Sequence, residues 1–151
     1  MTDLLLPALT LPASGGASVN LADYATRKVL IYFYPKDDTP GCTLEGQDFS
    51  RLYGQFQALG VTVFGVSKDS VKSHDKFCQK FGFPFALLSD ADQALHLALG
   101  AWVEKSMYGK KYMGTDRSTF YFDQGQCLQA WRNVKAAGHA EAVLESIQKA
   151  T

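Results

Sequence analysis

The chemistry-bearing stretch of this sequence is Pro35 to Gly46, P-K-D-D-T-P-G-C-T-L-E-G, with one cysteine near its centre. Thr39 followed by Pro40 is the pattern of a helix N-cap and a first-turn proline. Counting from that cap makes Pro40 N1, Gly41 N2 and Cys42 N3. A thiol at N3 lies beside backbone N–H groups that have no partner inside the helix, at the positive end of the helix dipole. That environment favours the thiolate, which is the nucleophilic form of cysteine. A reduced cysteine can instead be an inert core residue, but the Thr-Pro-Gly turn ahead of Cys42 favours the reactive reading.

A side chain at that position needs a strand to deliver the chain and a helix to leave on. Val29 to Tyr34 (V-L-I-Y-F-Y) is almost continuously apolar, as a central strand covered on both faces is. A helical pattern follows from about Pro40 to Leu59, carrying Phe49, Leu52, Tyr53 and Phe56, and Gly60 stops it. Val61 to Ser67 reads as a second buried strand. Ser70 to Phe81 reads as a helix with Val71, Phe77, Cys78 and Phe81 on its apolar positions, ended by Gly82. Pro84 to Leu88 is extended and Asp92 to Leu99 a short helix. Glu104 to Gly114 reads as a Lys- and Tyr-rich loop. Ser118 to Phe122 and Leu128 to Val134 make a hairpin about Asp123-Gln124-Gly125, and Gly138 to Lys149 a final helix. Ahead of all this, residues 4–21 form a loose pair of extended segments, and Ala22 to Lys28 a turn or short helix. Strands alternating with helices, closed by a hairpin, predict an α/β fold with a mixed sheet flanked by helices on both faces, of thioredoxin-like type. With no repeat and no linker, residues 1–151 are expected to be one domain.

Composition excludes several classes. Fifteen Lys and Arg balance fifteen Asp and Glu, so there is no basic footprint for nucleic acid. No apolar run approaches the ~18 residues of a membrane span. Met1 to Leu6 carries Asp3 and no positive segment, so no signal peptide is expected and the chain is placed in the cytoplasm. Three cysteines, widely spaced and odd in number, make no structural disulfide framework. His74, His96 and His139 are scattered, no Cys/His spacing fits zinc, and no phosphate- or dinucleotide-binding glycine pattern is present. His96 is expected as a satisfied or partly exposed helix residue, and His139 as a cap of the last helix.

Pro35, Thr39 and Cys42 fit P-x3-[TS]-x2-C, and Tyr108 to Phe120 reads Y-G-K-K-Y-M-G-T-D-R-S-T-F. In these motifs the chain resembles the peroxiredoxins, in particular their Q-type subgroup, the bacterioferritin comigratory proteins. The resemblance runs from about Pro7 to Ile147. It implies a thiol peroxidase acting on hydrogen peroxide and organic hydroperoxides, without metal, haem or flavin. Attack of a thiolate on an O–O bond sends negative charge onto the departing oxygen, so donors must face both oxygens. Cys42 supplies the sulfur. The backbone N–H groups of Gly41 and Cys42 point where helix N-termini bind anions. Thr39 offers a hydroxyl that can bind peroxide and touch the cap N–H groups, and Arg117 a permanent charge with a fork of donors. Pro35 would shield the sulfur, Gly41 would admit close approach, and Glu45, one turn after Cys42, would orient Arg117 or else face solvent.

The sulfenic acid left on Cys42 needs a second thiol. Some Q-type members carry it five residues on, where this chain has Gln47. Cys78 resembles the alternative placement in other members, though beside Phe77 and Phe81 it also reads as plain core. Cys127 is expected to be a bystander. The resemblance further implies reduction by thioredoxin and a monomeric enzyme. Three competing readings are a single-cysteine peroxidase with Cys78 structural, a disulfide reductase, and a redox-controlled chaperone or binding domain. The reductase lacks its C-x-x-C, because Glu45 stands three after Cys42. The binding domain leaves Thr39, Cys42 and Arg117 without a task. Because the strand Val61 to Ser67 runs between the two helices, Cys42 and Cys78 are expected to be too far apart to bond in the reduced fold.

Overall fold

The computed structural model describes residues 3–150; Met1 and Thr2, where the N-terminal reading starts, and Thr151 lie outside the described residues. The chain begins with a small antiparallel pair, β1 (Thr10–Pro12) and β2 (Ser18–Asn20), in which Leu11 faces Val19. A 3-10 turn at Leu21–Tyr24 leads into β3 (Lys28–Phe33), buried along its whole length except at Lys28. Then come α1 (Pro40–Ala58), β4 (Val61–Ser67), α2 (Val71–Phe81), β5 (Ala86–Ser89) and α3 (Ala94–Leu99). The second half holds β6 (Trp102–Met107), β7 (Lys110–Thr115), β8 (Ser118–Asp123), β9 (Gln126–Trp131) and α4 (His139–Ala150).

The central sheet has five strands in the order β5-β4-β3-β8-β9. β3 pairs parallel with β4 and β4 with β5, while β8 runs antiparallel to both β3 and β9. The expected mixed sheet is therefore present. Side-chain alternation along β3 explains the two cores. Leu30, Tyr32 and Tyr34 point to one face, where α1, α2 and α4 supply Phe49, Phe56, Phe77, Val143 and Ile147. Val29, Ile31 and Phe33 point to the other, against Leu11, Leu21, Leu95, Leu99 and Cys127. Cys42 and Cys127 thus lie in different cores.

Helix ends follow the sequence signals closely. Ser70 caps α2 by accepting from Ser73 N–H at 3.2 Å, and Gly82 ends it in the left-handed region with φ +66°. The stretch 104–114 is the main departure. It is not a loop but part of the β6–β7 ribbon, with Glu104 opposite Met113 and Lys105 opposite Tyr112. Tyr108 and Gly109, both at positive φ, make its tight turn. Most of the ribbon is exposed, so no apolar/polar alternation marked it in the sequence.

Candidate active site

Cys42 occupies the first turn of α1 and is buried against the sheet, at 2% exposure. Arg117 comes to it from the residue just before β8. Its guanidinium is used as a fork, with Nη2 donating to Cys42 Sγ at 3.4 Å and Nη1 donating to Glu45 Oε1 at 2.7 Å. Glu45 is wholly buried and paired with Arg117 rather than facing solvent. A Cβ at Gly41 would sit 3.2 Å from Arg117 Nη2, so Gly41 makes room for the guanidinium. Burial alone would weaken the Arg117 charge, but Glu45 and Cys42 outweigh it and raise its pKa. Burial pushes the Glu45 carboxyl up to about 7, against the opposing pull of Arg117, and its Oε2 has no hydrogen-bond partner among the described residues.

Thr39 stands at the N-cap position with extended backbone, and Thr39 O accepts from Thr43 N–H at 2.8 Å. Its side chain does not cap the helix. The hydroxyl donates to Lys36 O at 2.8 Å, inside the Pro35–Thr39 loop. The expectation that it touches the cap N–H groups is corrected here: the side chain is turned into the loop, where it donates to Lys36 O, and accepts from no cap N–H. Pro35 is partly buried at the start of this loop. The loop is pinned by Asp37, a residue the sequence reading passed over. Asp37 accepts from Tyr34 O–H at 2.6 Å and Ser73 O–H at 2.8 Å, and bonds His74 Nδ1 at 2.7 Å. His74 Nε2 reaches Leu88 O at 2.9 Å. The available signal was helical spacing: His74 fills the gap between Val71 and Cys78 on the apolar stripe of α2.

Cys78 shares the core face of Cys42 but not its surroundings. It is half-buried near the end of α2 and lines a groove of about 340 Å³ with Ser14, Asp75, Phe83 and Phe85. Burial, then Asp37 and Asp75, raise its pKa, with a hydrogen bond to Ser14 opposing them. Tyr32 lies in the same core as both thiols; burial raises its pKa, and Glu45, Cys42, Cys78 and Asp37 add to the rise. No disulfide joins Cys42 to Cys78.

Arg117 is held from behind as well. Val134 N–H donates to Arg117 O at 2.9 Å, and Asp116 N–H to Ala101 O at 2.8 Å. Two residues upstream, Thr115 Oγ1 bonds His96 Nε2 at 2.9 Å, while His96 Nδ1 meets Asp90 Oδ2 at 2.6 Å. His96 is thus a fully buried rivet between α3 and the end of β7. His139 does not act as a helix cap. It is buried between Phe49 and Trp131, with Nε2 2.7 Å from Thr119 Oγ1. Burial and then the nearby Arg117 charge push its pKa down to about 4. Among the described residues no cluster of His, Cys, Asp and Glu is arranged to hold a metal, and no helix is long and apolar enough to cross a membrane.

The AhpC/TSA family's sequence model matches residues 4–130. Peroxiredoxin Bcp of Xanthomonas campestris is 53% identical over 155 residues, covering 98% of this chain and 97% of that protein. Peroxiredoxin Bcp of Bacillus subtilis is 41% identical, covering 94% and 91%. Among solved structures, the fold superposes on a cysteine-to-serine mutant of Xanthomonas campestris peroxiredoxin Q with a TM-score of 0.92, at 52% identity and 98% coverage of both chains. A trapped intermediate/ligand complex of Xanthomonas campestris bacterioferritin comigratory protein, determined for its alkyl peroxide reduction activity, gives 0.91 at 51% identity, covering 97% of this chain and 96% of that one.

Proposed function

The chain belongs to the AhpC/TSA family as a peroxiredoxin of the Q/Bcp kind, a thiol peroxidase, and from that premise we propose that Cys42 is its peroxide-reactive nucleophile and Cys78 its resolving thiol. Its substrates are hydrogen peroxide and organic hydroperoxides, the latter in keeping with the alkyl peroxide activity of the Xanthomonas relative. The observation that carries the reading is the Arg117 guanidinium spanning Cys42 Sγ and Glu45.

In the first step the Cys42 thiolate attacks one peroxide oxygen, an S–O bond forms, and the O–O bond breaks. The leaving oxygen takes the electron pair and is protonated to water or alcohol. Arg117 and the first-turn N–H groups are preorganised donors for that charge, and such donors act most strongly where water is excluded. Thr39 and Pro35 edge the space the peroxide enters. In the second step the Cys78 thiol attacks Cys42 Sγ, water leaves, and a disulfide forms. A dithiol reductant, with thioredoxin the reading implied by the family, then restores both thiols. We assign the whole of 1–151 to one such domain, acting as a cytoplasmic monomer.

Closing the disulfide requires Cα atoms about 4.4–6.8 Å apart; the two thiols are free in the reduced fold, and the first turn of α1, the end of α2, or both are expected to unwind after oxidation. Thiol counting tests the scheme. One equivalent of peroxide should remove two thiols from wild type and none from Cys42→Ser. A Cys78→Ser protein that turns over with thioredoxin as fast as wild type would make this a single-cysteine peroxidase.

A further inference from the structure

We propose that Phe83 is the positioning residue that holds the Cys42 and Cys78 segments apart in the reduced fold and so sets how quickly the Cys42 sulfenic acid is resolved. The proposal rests on the reading of Cys78 as the resolving thiol.

Phe83 is tied at both ends. Its backbone N–H donates to Cys78 O at 3.3 Å, alongside Gly82 N–H at 2.7 Å, so it belongs to the C-terminal lock of α2. Its ring points end-on at α1. A Cβ at Gly46 would meet Phe83 Cζ at 2.6 Å and both Cε atoms at 3.1 Å, distances that leave no place for a side chain. Gly46 is one helical turn beyond Cys42, on the same face. The chain of contact therefore runs from Cys42 through Gly46 and the Phe83 ring to the Cys78 carbonyl. The ring is fixed by its neighbours: Phe77 edge-on at 4.9 Å, Phe85 stacked at 5.6 Å and Phe81 stacked at 6.0 Å. Neither segment can unwind toward the other while that ring stays in place.

Two fates compete once Cys42 is a sulfenic acid. Attack by the Cys78 thiol gives the disulfide and water. A second peroxide instead transfers an oxygen to give the sulfinic acid and water or alcohol. Withdrawal of Phe83 speeds the first and leaves the chemistry of the second untouched. Residues at the ends of helices open most readily, and the ring is what restrains these two ends.

The experiment measures, by intact mass, the fraction of Cys42 converted to sulfinic acid across a peroxide series, together with the rate of the first peroxide step. Phe83→Ala should lower the sulfinic fraction about fivefold, roughly 1 kcal/mol in competing barriers, with the first step unchanged. Phe83→Leu should fall between. Gly46→Ala should act in the same direction by displacing the ring, and should add nothing in a Phe83→Ala background, where the atoms it meets are gone. A ring that only packs would lower thermal stability and leave the partition as in wild type, which overturns the proposal. Additive effects of Gly46→Ala and Phe83→Ala overturn it too. If wild type forms no Cys42–Cys78 disulfide, the reading of Cys78 falls and this proposal falls with it.

Discussion

Cys42 and Cys78 are the same group packed against the same face of one sheet, yet their surroundings are opposite. Cys42 is buried in a first helical turn, with a guanidinium 3.4 Å from its sulfur. Cys78 stands at the far end of a helix beside a groove, and the charged groups that bear on it, Asp37 and Asp75, are carboxylates. A cation favours the thiolate and an anion disfavours it. The contrast suits the proposed scheme, in which Cys42 meets peroxide and Cys78, its pKa raised by burial and by the two carboxylates, stays a thiol at the first step.

The most severe way to break this contrast is Cys42→Ser, which should abolish peroxidase activity, read as peroxide consumption with excess reductant. Removing the cation comes next. Arg117→Ala should slow the peroxide step by roughly 10²–10³, the usual cost of one preorganised donor, with the fold retained by circular dichroism. Arg117→Lys should not restore the rate, because a point charge cannot serve Cys42 and Glu45 together. Cys78→Ser should leave the first step intact in stopped flow while thioredoxin-driven turnover falls by about tenfold or more, in line with loss of the thiol that intercepts the sulfenic acid.

How far the site could be read from sequence divides along the same line. The Cys42 turn was legible because proline, threonine and glycine each force local geometry, and the strand before it is an unbroken apolar run. The partnership of Arg117 with Glu45 was suggested by the family resemblance, with solvent as the alternative, and the cost of an unpaired buried charge favoured it. Around Cys78 the sequence said less. His74 is polar yet wholly buried through its bonds to Asp37 and Leu88, and composition gives no hint of such pairing across elements. Thr39 misled because a hydroxyl can accept at a cap or donate to a carbonyl, and the Pro35–Thr39 loop turns it to donate to Lys36 O. The β6–β7 ribbon was missed because its faces are largely exposed.

Smaller tests sharpen the comparison by pH. Two groups flank Arg117 with opposite shifts: Glu45 raised to about 7 and His139 lowered to about 4. Both favour their neutral forms in the fold. The Glu45 contribution is full below its ordinary 4.5 and is lost as pH rises through about 7. The His139 contribution is full above 6.5 and is lost as pH falls through about 4. The two windows overlap with opposite signs, so urea unfolding of wild type should change little between about pH 4.5 and 6.5, each hidden slope being on the order of 3 kcal/mol across its window. Glu45→Gln should uncover a stability that rises with pH, the His139 slope, and His139→Asn one that falls with pH, the Glu45 slope. The least effect is expected at Cys78: Asp75→Asn should shift its alkylation profile to lower pH in a Cys42→Ser background.

The pairing of β8 with β3 has a consequence for the chain as it is made. β3 finds β4 across a short stretch of sequence, but Ser118 must come back from far downstream to lie opposite Phe33. Pairings between distant segments form late, after nearby ones have lowered the entropy of closure. Until β8 docks, the Cys42 turn exists without the guanidinium that Arg117 carries at the head of that strand. On the role proposed for Arg117, an emerging or half-folded chain is expected to be a poor target for peroxide, with competence arriving when β8 docks.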